Sequence, residues 1–154
     1  MNHVDWPTAS RFAGPQDSPG FVLWRRFHDW QRGIDQRLAT FDLTQLQFSV
    51  LAVAAWLARD GRPVIQQDIA DLGKIDRMLV SQVVRKLEAK RLLRRRPHGA
   101  DRRAVSIALT KSGTDLLTAT LPIVESHDAA FFSRTNEVLP TADGSIGDIS
   151  LERP

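Results

Sequence analysis

Cysteine is absent from this 154-residue chain, which excludes disulfide scaffolds, thiolate metal sites and cysteine-based redox sensing. The four histidines, His3, His28, His98 and His127, are scattered without ligand spacing, so neither a metal nor a cofactor is expected. No apolar run approaches about 18 residues and no secretory signal stands at the start, so the expected setting is cytoplasmic, with no membrane partner. A nucleophile–base pair, a metal cluster and a phosphate-binding loop are all missing as well, and an enzyme is not expected.

What is present is unevenly distributed charge. Hydrophobic residues make up 42% of the chain, enough for a folded core, and the net charge is only +3. Between Lys74 and Lys111, however, 12 Lys or Arg stand against 3 Asp or Glu, a local net of +9, while the remainder carries a net of −6. Such a split implies a localised anion-binding face. Its densest part is RRRPHGADRR, residues 94–103, with five arginines around Pro97 and Gly99.

Residues 1–20 contain Pro7, Gly14, Pro15, Pro19 and Gly20 without periodicity and read as a loosely held arm. From Phe21, the spacing of Leu23, Phe27, Trp30, Ile34 and Leu38 predicts an amphipathic helix. Thr44 is a cap candidate for a second helix, apolar on most sides between Phe48 and Leu57. A short helix over Gln66 to Leu72 follows, then a Gly73 turn. A further helix runs from about Arg77 to Lys90, with Asp76 as N-cap and a buried stripe of Val80, Val83, Val84 and Leu87. Leu92 to Arg96 and Val105 to Leu109 read as a β-hairpin joined by residues 97–103. Thr110 caps a last helix that carries Leu116, Leu117 and Leu121 inward, is kinked at Pro122, and persists to Phe131 and Phe132. The expected organisation is an arm (1–20), a mainly α domain with a small hairpin wing (21–140), and an irregular tail (141–154).

Two helices across a tight turn, followed by a hairpin, make a winged helix-turn-helix. The second helix of the pair suits the major groove, with Arg77, Leu79, Ser81, Gln82 and Arg85 opposite its buried stripe. Gln can bind adenine, and Arg guanine, through two hydrogen bonds. Lys86 and Lys90, toward the flank, suit phosphates. Arg94, Arg95 and Arg96 are expected beside phosphates or at the wing base, with Arg102 and Arg103 nearer its tip.

Three stretches carry a family resemblance: LTQLQFSVL at 43–51, SQVVRKLEAKRLLRRRP at 81–97 and DRRAVSIALTKSG at 101–113. The run from Leu43 to about Leu117 resembles the MarR family of winged-helix regulators, whose wing pattern is met by Asp101, Arg103, Leu109 and Thr110. The resemblance implies a homodimer on a palindromic operator in double-stranded DNA, with Arg103 inserted beside the DNA and Asp101 positioning basic neighbours through a salt bridge. It also implies release by a small aromatic or anionic effector, whose pocket falls in the region of Trp24, His28, Arg32 and Phe48. Three departures stand out. Ile65 replaces the usual Ser or Thr cap of the short helix, an extra residue falls near Lys74 and Ile75, and residues 133–154 do not write the family's closing amphipathic helix.

Each feature also has a plainer reading. A charge run is often solvated surface, Asp101 could be an ordinary turn residue, and aromatics such as Trp24 and Phe48 are more often core than ligand box. The rival function is a winged helix that meets an acidic protein partner through its basic face; the salt dependence and sequence preference of duplex binding separate the two.

Overall fold

The computed structural model describes residues 3–98 and 101–133, with the side chains of residues 97, 98 and 101–105 outside that description. The chain divides into two units, Met1–Gly33 with His127–Pro154, and Ile34–Ser126.

In the first unit the arm is more ordered than its composition suggests. Helix α1 spans Trp6–Ala9 with Pro7 in its first turn, and a 3₁₀ turn covers Pro15–Asp17. Helix α2 runs over Pro19–Leu38, beginning two residues before the expected start. Proline suits that first helical position because its fixed φ is already helical and its missing N–H has no partner to lose. Late in α2, the unit is tied to the end of helix α6 (Lys111–Ser133). The Trp30 indole N–H donates to Asp128 Oδ1 at 2.7 Å, and His127 Nε2–H donates to the Trp30 carbonyl at 3.1 Å. Gly33 permits this approach: a Cβ there would stand 2.4 Å from the His127 ring.

The second unit holds most of the core. After a 3₁₀ turn at Ala39–Phe41, Asp42 adopts left-handed backbone (φ 51°), which breaks the helical run before the next helix. Helix α3, Gln45–Ala58, then starts at a reciprocal cap: Gln47 N–H donates to Thr44 Oγ1, and Thr44 N–H donates to Gln47 Oε1. This satisfies two of the donors that a helix N-terminus leaves unpaired. Strand β1 (Val64–Ile65) and helix α4 (Gln66–Gly73) follow. Ile65 has no side-chain acceptor, so only half of such a cap forms at α4, with Asp68 accepting the Ile65 N–H at 3.1 Å.

Lys74, left-handed at φ 51°, ends α4, and the Ile75 N–H closes back onto the Ala70 carbonyl at 3.0 Å. Lys74 and Ile75, where an extra residue is expected from the resemblance, thus lie in a hydrogen-bonded turn. Helix α5, Arg77–Ala89, begins at Asp76, whose carboxylate accepts from the N–H groups of Met78 and Leu79. Val80, Val83, Val84 and Leu87 are buried, as their spacing predicts.

Strands β2 (Leu93–His98) and β3 (Asp101–Leu109) reach further toward the tip than the alternating pattern indicates. They also have a third partner that the sequence reading misses: β1 pairs with β3, giving the antiparallel order β1-β3-β2. The wing base is locked where α6 begins. The Thr110 hydroxyl donates to the Arg91 carbonyl at 2.7 Å, and a Cβ on Gly113 would lie 2.0 Å from the Leu92 carbonyl oxygen. The fold is a mainly α winged helix-turn-helix with a small antiparallel wing.

Candidate nucleic-acid interface

Burial of one stripe of α5 decides what the opposite stripe can do. Arg77, Gln82, Arg85 and Lys86 are exposed and Ser81 is half-buried. At ~100° per residue, Met78, Gln82 and Arg85 share one line at i, i+4 and i+7, facing away from Val80 and Val84. The Asp76 cap fixes the first turn, the end at which a recognition helix meets base edges.

Two cations assigned to the interface from sequence have intramolecular partners. Lys90 Nζ lies 3.0 Å from the Asp42 carboxylate and 3.3 Å from Gln47 Oε1, and also donates to the Asp42 carbonyl. It joins the end of α5 to the start of α3. Arg95 places Nε 2.5 Å from Glu88 Oε2 and donates its backbone N–H to Glu88 Oε1 at 3.1 Å. Both side chains of this pair are one-third exposed. The hydrogen bond from the Arg95 side chain holds the Glu88 carboxyl below its ordinary value of 4.5. Arg94 and Arg96, on the other face of β2, are exposed, as the two-residue period of a strand requires.

Asp101, Arg102 and Arg103 begin β3, and Asp101 is paired with His98 in the strand register. Their side chains, and with them the wing salt bridge and the groove-entering arginine, lie outside the described residues.

Trp24, His28 and Arg32 line one side of α2 at four-residue spacing. The Trp24 and His28 rings meet edge-on at 4.6 Å, and Arg32 makes an exposed ion pair with Asp29 at 3.0 Å. Phe48 belongs to the other unit, where it is 7% exposed in the core. Among the described residues no group of three or more His, Asp or Glu is placed to hold a metal ion. No single described helix is long and apolar enough to cross a membrane.

Comparison with known proteins agrees with this geometry. The MarR family model matches residues 41–104, from the turn before α3 into the wing. The HTH-type transcriptional regulator YdcH of Bacillus subtilis is 43% identical over 124 residues, covering 80% of this chain and 84% of that protein. The chain belongs to the MarR family.

Among solved structures of this family, the Staphylococcus aureus MepR–DNA complex superposes with a TM-score of 0.70 at 29% identity, covering 78% of this chain and 86% of that one. Bordetella bronchiseptica BpsR, whose DNA binding is regulated by 6-hydroxynicotinic acid, superposes at 0.66 and 29% identity over 77% and 86%. As a MarR-family protein, the chain is a DNA-binding transcription regulator and not an enzyme. Sequence reasoning named Leu79 on this face but missed Met78, whose exposure of 73% against 39% for Leu79 is evident only in the fold.

Proposed function

We propose that this MarR-family regulator acts in the cytoplasm as a homodimer on a palindromic operator, and that a small aromatic or anionic ligand releases it. The observation that carries the reading is the outward stripe of a capped, well-packed helix, in which Gln82 and Arg85 offer bidentate groups and Arg77 and Lys86 offer charge. In this assignment Arg77, Ser81, Gln82 and Arg85 face bases, while Lys86 and the wing's Arg102 neutralise phosphates. Arg103 borders the minor groove, where Asp101 orients its basic neighbours.

Dimerisation is supported by the surface of α2. Leu23 is 54% exposed, Phe27 46% and Phe21 37%, and Phe132 on α6 is 55% exposed. A second copy of the chain would remove these apolar groups from water, at roughly 25 cal/mol for each Å² covered. Two-fold symmetry then demands half-sites about one helical turn, ~34 Å, apart.

The effector assignment rests on Trp24, His28 and Arg32, an aromatic pair beside a cation whose exposed partner Asp29 holds it weakly. The 6-hydroxynicotinic acid that regulates BpsR is both aromatic and acidic. A ligand releases the protein only if it binds the DNA-free arrangement more tightly than the DNA-bound one.

Selection of duplexes from a random pool by the full chain, with mass measurement by light scattering, tests the reading. An enriched inverted repeat bound by two chains is expected. Binding without sequence preference, or one chain per duplex, would overturn it. Addition of aromatic carboxylic acids, 6-hydroxynicotinic acid first, is expected to weaken the wild-type complex, and Trp24→Ala to blunt that response.

A further inference from the structure

Met78 is the most exposed large hydrophobic residue described, at 73%, and with Leu79 at 39% it opens the first turn of the helix proposed to meet DNA. An exposed apolar side chain ordinarily needs no explanation. This one differs in its placement. Its N–H is held by the Asp76 carboxylate at 2.9 Å, so the side chain leaves from a fixed point in the first turn of α5. It shares its line with Gln82 and Arg85, opposite Val80 and Val84, which are fully buried. Any docking that brings Gln82 to a base edge therefore also takes Met78 out of water.

What Met78 meets there is limited by the chemistry of the major groove. The groove edges of guanine, adenine and cytosine present hydrogen-bonding groups, and a thioether pressed against them would displace their water without replacing its hydrogen bonds. The C5-methyl of thymine is the one apolar feature the groove offers. Methionine is unbranched and polarisable, so it can cover a methyl group without demanding a single rotamer.

We propose that Met78 is a specificity-determining residue that reads the C5-methyl of a thymine next to the base pair engaged by Gln82. The assignment rests on α5 being the base-reading helix. It adds a prediction about operator composition: each half-site carries a thymine at this position, and 5-methylcytosine substitutes for it better than cytosine does.

The test uses the full chain and a duplex selected from a random pool, resynthesised with each thymine in turn replaced by deoxyuridine, which removes only the methyl. Wild-type protein is expected to lose about fourfold in affinity per half-site at one position, the worth of one buried methyl. Met78→Ala is expected to bind the thymine and deoxyuridine duplexes equally, and Met78→Leu to keep the difference. The slope of affinity against salt should be unchanged in both variants, because no phosphate contact is lost. Met78 and Met1 are the only methionines, so a methyl-labelled methionine resonance that shifts with thymine but not with deoxyuridine would report the contact directly.

No position sensitive to deoxyuridine, or a sensitivity that Met78→Ala retains, overturns the assignment while leaving α5 as the base reader. Failure to select any preferred duplex removes the base-reading role of α5, and the role of Met78 falls with it.

Discussion

Helix α5 and the first half of α2 both carry an apolar stripe at helical spacing, but the chain treats them differently. On α5, Val80, Val83, Val84 and Leu87 are each no more than 5% exposed. On α2, Ile34 and Leu38 are buried in the unit they belong to, while Leu23 and Phe27, on the same periodic line, stay about half exposed. Periodicity shows that a helix has an apolar side. It does not show whether the cover comes from the same chain. A stripe completed within the unit stabilises the fold, and one left open is available to a second molecule.

The sharpest way to break this contrast is one substitution on each stripe. Leu87→Ala is expected to cost about 2–5 kcal/mol in chemical unfolding, at any protein concentration, because it leaves a void in a closed core. Leu23→Asp is expected to leave the unfolding of the isolated chain nearly unchanged. It should abolish the concentration dependence of apparent stability that a dimer confers. Light scattering with urea titration at two concentrations checks both. A large intrinsic loss from Leu23→Asp would mean that the α2 stripe is core after all.

The next effect belongs to the outward face of α5. Arg85→Ala or Gln82→Ala is expected to relax preference at a particular base pair by about 1–3 kcal/mol per bidentate contact. Titration against the selected operator and its single-base variants reads this. Uniform weakening on every sequence would make these side chains phosphate contacts.

On the wing, Arg103→Ala should weaken binding most on operators with A·T-rich flanks, where the narrow minor groove concentrates negative potential. Arg102→Ala should weaken all duplexes alike and reduce the log–log salt slope by about one unit. Titrations of both variants on two flank compositions separate these roles. No loss from either would return the arginine run to solvated surface.

The features legible in the sequence were those governed by neighbours in the chain. Thr44 and Asp76 cap their helices because a hydroxyl or carboxylate reaches N–H groups two or three residues away. The four buried positions of α5 follow from spacing alone. Features set by distant partners were not legible. Strand β1 is two residues long, too short to alternate, and its partners Ser106 and Ile107 stand far along the chain. Lys90 was legible as a cation on the flank of α5, but its contacts with Asp42, 48 residues earlier, were not.

Arg95 teaches the same lesson at shorter range, and it carries the smallest expected effect. Read as a block, Arg94, Arg95 and Arg96 form one cationic patch. Strand alternation divides them, turning Arg95 toward Glu88 on α5 while its neighbours face outward. The pair is part-exposed and is worth no more than about 1 kcal/mol. Its pH dependence gives it away. Because the Arg95 hydrogen bond depresses the Glu88 carboxyl below 4.5 in the folded protein, the stabilisation is full above the unfolded value. It is then lost as pH falls through the lower, folded value. Glu88→Gln should therefore be less stable than wild type near neutral pH, with the gap closing only below about pH 4.5. Thermal unfolding of both proteins from neutral pH down to about pH 3 measures that gap. A constant gap over the range would show that Glu88 acts through packing alone, and a gap that widens in acid would reverse the sign of the coupling between α5 and the wing.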